Sequence, residues 1–176
     1  MALYDQLMEE ALGNYGLVTT RTAESLGILR KDLGEWVALG RLARLGHGVY
    51  RIEHYQPSEY DRYAEAVALV GHDAAIWDDG VLAMHNLALV NPLRVKVATS
   101  RRVRKVLPKW IKLVKKPVDA KEDTFEGIRC QNLASVILGS RHKLMTERLM
   151  DAIGDASRRG LLRSGELEEL RREFAI

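Results

Sequence analysis

The sequence has one cysteine, four prolines and two phenylalanines in 176 residues. A single thiol, Cys130, excludes an internal disulfide framework. No run of about 18 apolar residues occurs, so no transmembrane helix and no membrane partner is expected. The start, MALYDQLMEE, carries acids where a secretory signal needs bases, and it lacks an apolar core; the expected location is cytoplasmic. A Walker loop, a G-x-S-x-G elbow and an H-E-x-x-H pair are also missing. Asp78, Asp79 and His85 can be drawn as a metal cluster, but Asp79 reads more simply as a helix cap and His85 as a partly buried polar residue. Cys130 sits in a strand-like run with no nearby histidine and reads as a core thiol rather than a nucleophile. Ser140 and His142 are neighbours in sequence, which does not make a triad. The expectation is therefore no enzyme, no catalytic residue, no metal and no cofactor.

What is present is ordinary for a globular chain: 47% hydrophobic and 29% charged residues. This length suits one domain or two small ones. The net charge of +3 is unevenly distributed. Residues 1–55 hold 6 bases and 7 acids, 56–100 hold 3 and 6, and 119–176 hold 10 and 11. Residues 101–118, RRVRKVLPKWIKLVKKPV, hold 8 bases and no acid. A local excess of that size attracts a polyanion even when the whole protein is nearly neutral.

Periodicity predicts a helix over 2–13, with Leu3, Leu7, Met8, Ala11 and Leu12 on one face. Thr19 or Thr20 caps a second short helix that Gly27 ends. A third spans 30–39, with Leu33, Trp36 and Val37 inward and Gly40 at its end. The β-prone runs 42–45 and 49–52 flank Gly46-His47-Gly48 as a hairpin. Ser58 reads as the cap of a further helix, and another starts at Asp79. Strand-like runs follow at 94–99, 111–115 and 127–131. The chain ends in helices striped by Met145, Leu149, Ala152, Ile153 and Ala156 and by Leu167, Leu170 and Phe174, the last capped by Ser164. The expected fold is α+β: an N-terminal winged helix-turn-helix over 1–56 and a small mixed α/β domain over 57–176.

In such a module the third helix enters the major groove and the second braces it. Lys31, Gly34, Glu35 and Ala38 share the face opposite Leu33, and the small residues permit close approach to base edges. Arg30 and Lys31 stand at the helix start, and Glu35 can accept from a cytosine amino group. Thr19, Thr20 and Arg21 could bind a phosphate at the start of the second helix. Arg44, His47 and Arg51 serve the hairpin. Two readings stand for the base-rich stretch. Arg101, Arg102, Arg104, Lys105, Lys109 and Lys112 form a second phosphate-binding surface, or they are solvated bases that blunt a sheet edge. Trp110 there is a base-stacking or an anchoring residue.

The stretch Gly40-Arg41-Leu42-Ala43-Arg44-Leu45-Gly46-His47-Gly48-Val49-Tyr50 resembles the G-R-L-x-R-x-G-x-G-V-Y hairpin of AbiEi-type antitoxins. Ala83, His85 and Leu87, spaced here as A-x-H-x-L, resemble that family's A-x-x-x-H-x-L segment with a shorter interval before the histidine. Phe125–Arg129 occupies the place of its G-I-x-V segment, followed here by Leu133–Leu138 without the family's Arg-Thr pair. The resemblance implies a transcriptional autorepressor of a bacterial type IV toxin–antitoxin operon, linked to abortive infection and phage defence. It implies promoter DNA with inverted repeats as one partner, bound by two copies of a protein that is monomeric in solution. The other implied partner is a nucleotidyltransferase-like toxin, neutralised through the C-terminal domain without need of a stable complex. The alternative is a winged-helix protein- or RNA-interaction module with no operator.

Overall fold

The computed structural model describes residues 2–176, which divide into two compact units. One comprises the chain through His72 together with Val103–Leu107; the other comprises Asp73–Arg102 and Pro108–Ile176.

The first unit runs α1 (Leu3–Leu12), β1 (Leu17–Thr19), α2 (Thr20–Ser25), α3 (Arg30–Ala38), β2 (Leu42–Gly46), β3 (Val49–Ile52) and α4 (Asp61–Val70). Leu7 and Ala11 of α1, Ala23 of α2 and Leu33 of α3 meet Val18, Leu42 and Ile52 of the strands in one core, which Ile28 of the α2–α3 turn completes. The expected three helices and hairpin are therefore present, consistent with a helix-turn-helix. One element was not legible: β1 pairs antiparallel with β3, giving a three-stranded sheet in the order β1-β3-β2. The α2–α3 turn closes at Gly27, the helix stop the sequence suggested. Gly27 sits at φ 76°, its N–H donates to Glu24 O at 3.0 Å, and Ile28 N–H donates to Ala23 O at 2.9 Å. This pair of hydrogen bonds satisfies the last carbonyls of α2 and sets the angle at which α3 leaves.

The first unit does not stop near residue 56 as expected; α4 belongs to it. Glu65 of α4 pairs with Arg51 at 3.2 Å, and Tyr55 Oη donates to Asp61 at 2.9 Å. Leu69 fills the space beside Gly46, where a Cβ would lie 2.5 Å from its Cδ2. Ser58 is not the α4 cap: the helix starts three residues on, at Asp61, whose carboxylate accepts from Ser58 Oγ at 2.8 Å.

The second unit contains β4 (Ala75–Ile76), α5 (Asp79–Met84), β5 (Val95–Thr99), β6 (Ile111–Lys115), β7 (Glu122–Phe125) and β8 (Ile128–Gln131), then α6 (Leu133–Gly139), α7 (Thr146–Arg158) and α8 (Ser164–Phe174). Its mixed sheet has the order β6-β5-β4-β8-β7. β5 is inside the sheet, and Val95, Val97, Ala98 and Thr99 are all buried, as a strand covered on both faces requires. The stripe Leu149, Ala152, Ile153 and Ala156 is the buried face of α7. Asn132, not named from sequence, caps α6 by accepting from Ser135 N–H at 3.0 Å. Ser164 opens α8 rather than capping it; Glu166 closes that end by accepting from Arg163 N–H at 2.9 Å.

Ionised groups tie this unit together. Burial acts to raise the Asp78 carboxyl, but hydrogen bonds from Lys143 and Lys96, both at 2.9 Å, outweigh it and lower its pKa. Asp73 is likewise opposed by burial, yet Thr99 Oγ1 at 2.7 Å, Ser100 and nearby Lys116 hold it well below the usual carboxylate range. His85 is fully buried rather than partly. Burial pushes its pKa down, although its Nδ1–H donates to Val81 O at 2.8 Å. Burial also pushes the Cys130 thiol up to about 12, as a core position does. Among the described residues no group of three or more His, Cys, Asp or Glu could hold a metal ion.

His85 gives a pH dependence. In the unfolded chain it takes a proton near pH 6.5, while in the folded unit it resists protonation. The unfolded state then binds more protons as pH falls below that value, so stability drops through the window just under about pH 6.5. The melting temperature of His85→Gln is expected to be lower throughout and flatter between pH 7 and pH 5 than that of the wild type. Parallel curves would show that His85 does not set the slope.

Candidate nucleic-acid interface

Helix α3 begins where Leu29 N–H donates to the Asp32 carboxylate at 2.9 Å. Leu33 points into the core, and Trp36 and Val37 are half-buried against it. Trp36 also meets Tyr4 of α1 edge-on at 5.1 Å. That orientation leaves Arg30, Lys31, Gly34, Glu35 and Ala38 exposed on the opposite side. Arg30 makes a solvent-exposed pair with Glu24 at 3.5 Å, which contributes little and screens easily. A Cβ added at Gly34 would meet nothing within 4 Å, so α3 has open space there.

The hairpin tip is tied to the start of α2. Thr20 N–H donates to Gly48 O at 2.9 Å, and its hydroxyl donates to the same oxygen at 3.4 Å. Thr19 Oγ1 accepts from Thr22 N–H at 3.1 Å as the α2 cap. Both hydroxyls are thus engaged inside the fold, and of that trio only Arg21 is fully exposed. Arg44 and His47 are exposed on the hairpin, with Arg44 Nε donating to Gly46 O at 3.3 Å. The bulge between Arg44 and Gly46 gives the hairpin its local twist.

Arg51 differs from expectation. Its side chain is only 20% exposed, paired with Glu65 and packed over the Tyr55 ring at 5.6 Å. It fastens β3 to α4 and is not a hairpin cation facing solvent. Local sequence carries no sign of this, because its partner lies 14 residues away. Arg41, not singled out from sequence, is exposed with its guanidinium 5.1 Å from the Tyr4 ring.

The base-rich stretch is divided between the units. Arg104 and Lys105 fall in the first; Arg101, Arg102, Lys109 and Lys112 fall in the second. All but Lys105 are exposed, and burial lowers the pKa of Lys105. Lys116 turns inward: it donates to Asp73 O and pairs with Glu122 at 2.7 Å.

The first unit is thus an α/β module consistent with a helix-turn-helix, with an exposed, partly basic α3. Residues 5–52 match the family described as transcriptional regulator, AbiEi antitoxin. That match ends at the last residue of β3. No curated protein matches the chain. No helix is long and apolar enough to cross a membrane.

Proposed function

We propose that this protein is a cytoplasmic DNA-binding autorepressor and the antitoxin of a bacterial type IV toxin–antitoxin system acting in abortive infection and phage defence. In this reading the first unit is a winged helix-turn-helix. Helix α3 reads a major groove through Lys31, Gly34 and Glu35, the hairpin is the wing, and Arg21, Arg30, Arg44 and His47 contact phosphates. The observation that carries the reading is the joining of α2 to the hairpin tip through Thr20 and Gly48, beside an α3 whose outward face has small residues and carries Arg30 and Lys31 with Glu35. A rigid wing and helix present one surface to a duplex. The family matched over residues 5–52 supports the regulatory role.

Arg101, Arg102 and Arg104 add non-specific attraction to DNA, which salt weakens. Two monomers occupy an inverted repeat at the operon's own promoter. The second unit serves neutralisation of a nucleotidyltransferase-like toxin, with no stable complex required. No catalytic residue, metal or cofactor enters this role, and the protein is not an enzyme. A second reading, a protein- or RNA-interaction module without an operator, is favoured by one fact: the chain through His72 holds 7 bases against 10 acids.

A promoter reporter separates the two readings. Deleting the gene is expected to raise output from its own promoter, and supplying it on a plasmid to restore repression. Unchanged output would leave the interaction reading.

Gly34 offers a sharper test. Alanine in an exposed helix interior stabilises by about 1 kcal/mol relative to glycine. The added methyl at an intimate contact costs about 1–3 kcal/mol, or roughly 5- to 150-fold in affinity. Gly34→Ala is expected to melt higher while binding promoter DNA more weakly. Undiminished binding would remove this face from the interface.

A further inference from the structure

We propose that the free edge of β6 binds an extended acidic segment of a partner protein by strand addition. The β5–β6 ladder fixes which main-chain groups of β6 face outward. Val95 N–H donates to Trp110 O at 2.8 Å, and Lys116 N–H donates to Thr99 O at 3.1 Å. With the parallel register Val95↔Ile111 through Thr99↔Lys115, residues 110, 112, 114 and 116 turn their amides and carbonyls toward β5. Residues 111, 113 and 115 turn theirs away. The first outward pair is already closed: Ile111 N–H donates to Pro108 O at 3.1 Å, and Arg94 Nη2 donates to Ile111 O at 2.8 Å. Leu113 and Lys115 remain, one pleat repeat apart, which is the spacing an added strand uses.

Charge selects the occupant. Lys109, Lys112 and Lys115 are exposed along and beside this edge, and no acid occurs between residues 101 and 118. Leu113 is 40% exposed and offers an apolar contact on the same face as Lys115, with Lys112 on the opposite face. Main-chain ladder groups and an apolar side chain recognise an extended peptide; a phosphate backbone would use the lysines alone. A second copy of this chain is a poor complement. The other sheet edge, β7, carries Glu122 and Asp123, but Glu122 pairs with Lys116 at 2.7 Å and Arg129 at 2.8 Å, and Asp123 pairs with Arg163 at 2.7 Å. The partner is a foreign strand with acidic residues on both of its faces, because Lys112 and Lys115 project to opposite faces of β6. This inference is independent of operator binding.

The test is an NMR titration of the full-length protein with a capped decapeptide built on a Glu-Glu-Val-Val repeat, which carries Glu on both faces of an extended strand. The Leu113 and Lys115 amides are expected to shift most and to gain protection from hydrogen exchange. Lys112→Glu with Lys115→Glu is expected to weaken binding by about tenfold. Leu113→Pro removes an outward N–H without touching the β5 ladder and is expected to abolish binding. Shifts that spare both amides, equal binding by a folded Leu113→Pro, or the same amide protection with a single-stranded oligonucleotide would overturn the proposal. Should Leu113→Pro not fold, exchange at Leu113 and Lys115 in the wild type with peptide decides it.

Discussion

Gly16→Ala is expected to remove about 3 kcal/mol from the first unit, most of the stability a unit this small holds. Gly16 sits at φ 69°, where a side chain costs roughly 1–2 kcal/mol. Its added Cβ would lie 2.6 Å from Tyr55 Cγ and 2.9 Å from Tyr55 Cβ. Those atoms are at the root of the ring, so the whole side chain must move. Moving it breaks the Tyr55–Asp61 hydrogen bond and takes the ring away from the Arg51 guanidinium. Overpacking adds about 1–3 kcal/mol, for a total of about 3 kcal/mol or more. A unit this small seldom holds more than about 3–5 kcal/mol. Denaturant melts followed by fluorescence in a Trp77→Phe/Trp110→Phe background, where Trp36 alone reports, would check this. A midpoint shared with wild type would mean that the turn accommodates the methyl.

The second large effect is on binding. Lys31→Ala combined with Arg44→Ala is expected to weaken promoter binding by one to two orders of magnitude, with the fold intact. Lys31 is exposed on α3 with solvent around it, and Arg44 is exposed on the hairpin, so neither truncation opens the core. Each phosphate left without its cation also takes about 0.9 off the slope of log affinity against log salt. Arg51→Ala should behave in the opposite way, with stability falling through the orphaned Glu65 before DNA affinity does. The contrast separates Arg44 from Arg51, two arginines that a hairpin pattern treats alike.

That pair marks the limit of the sequence. Helices α1 to α3 and the β2–β3 hairpin were legible because their caps, glycines and apolar spacing act over a few residues. Thr19 as the α2 cap and Gly27 as its stop are local chemistry. β1 and β4 were not legible, since runs of three and two residues are too short to show alternation, and neither was β7, whose Glu-Asp-Thr-Phe run lacks an apolar alternation. The place of α4 was hidden for a different reason. The interactions that bind it, Arg51–Glu65 and Gly46–Leu69, join residues far apart in the chain. The exposed face of α3 followed from its period, whereas the internal use of the Thr19 and Thr20 hydroxyls depended on where the hairpin tip would fall. The charge count located the base-rich stretch but not its division between two units, nor the inward turn of Lys116.

The central claim is that α3 and the hairpin read DNA. Its most direct measurement is an anisotropy titration of the full-length protein on a duplex from upstream of its own gene. A scrambled duplex and a salt series serve as comparisons. The expected result is tighter binding to the upstream duplex, with affinity falling linearly on a log–log salt plot and the sequence preference abolished in the Lys31→Ala/Arg44→Ala variant. Equal affinity for both duplexes at every salt concentration, unchanged in that variant, would contradict the account.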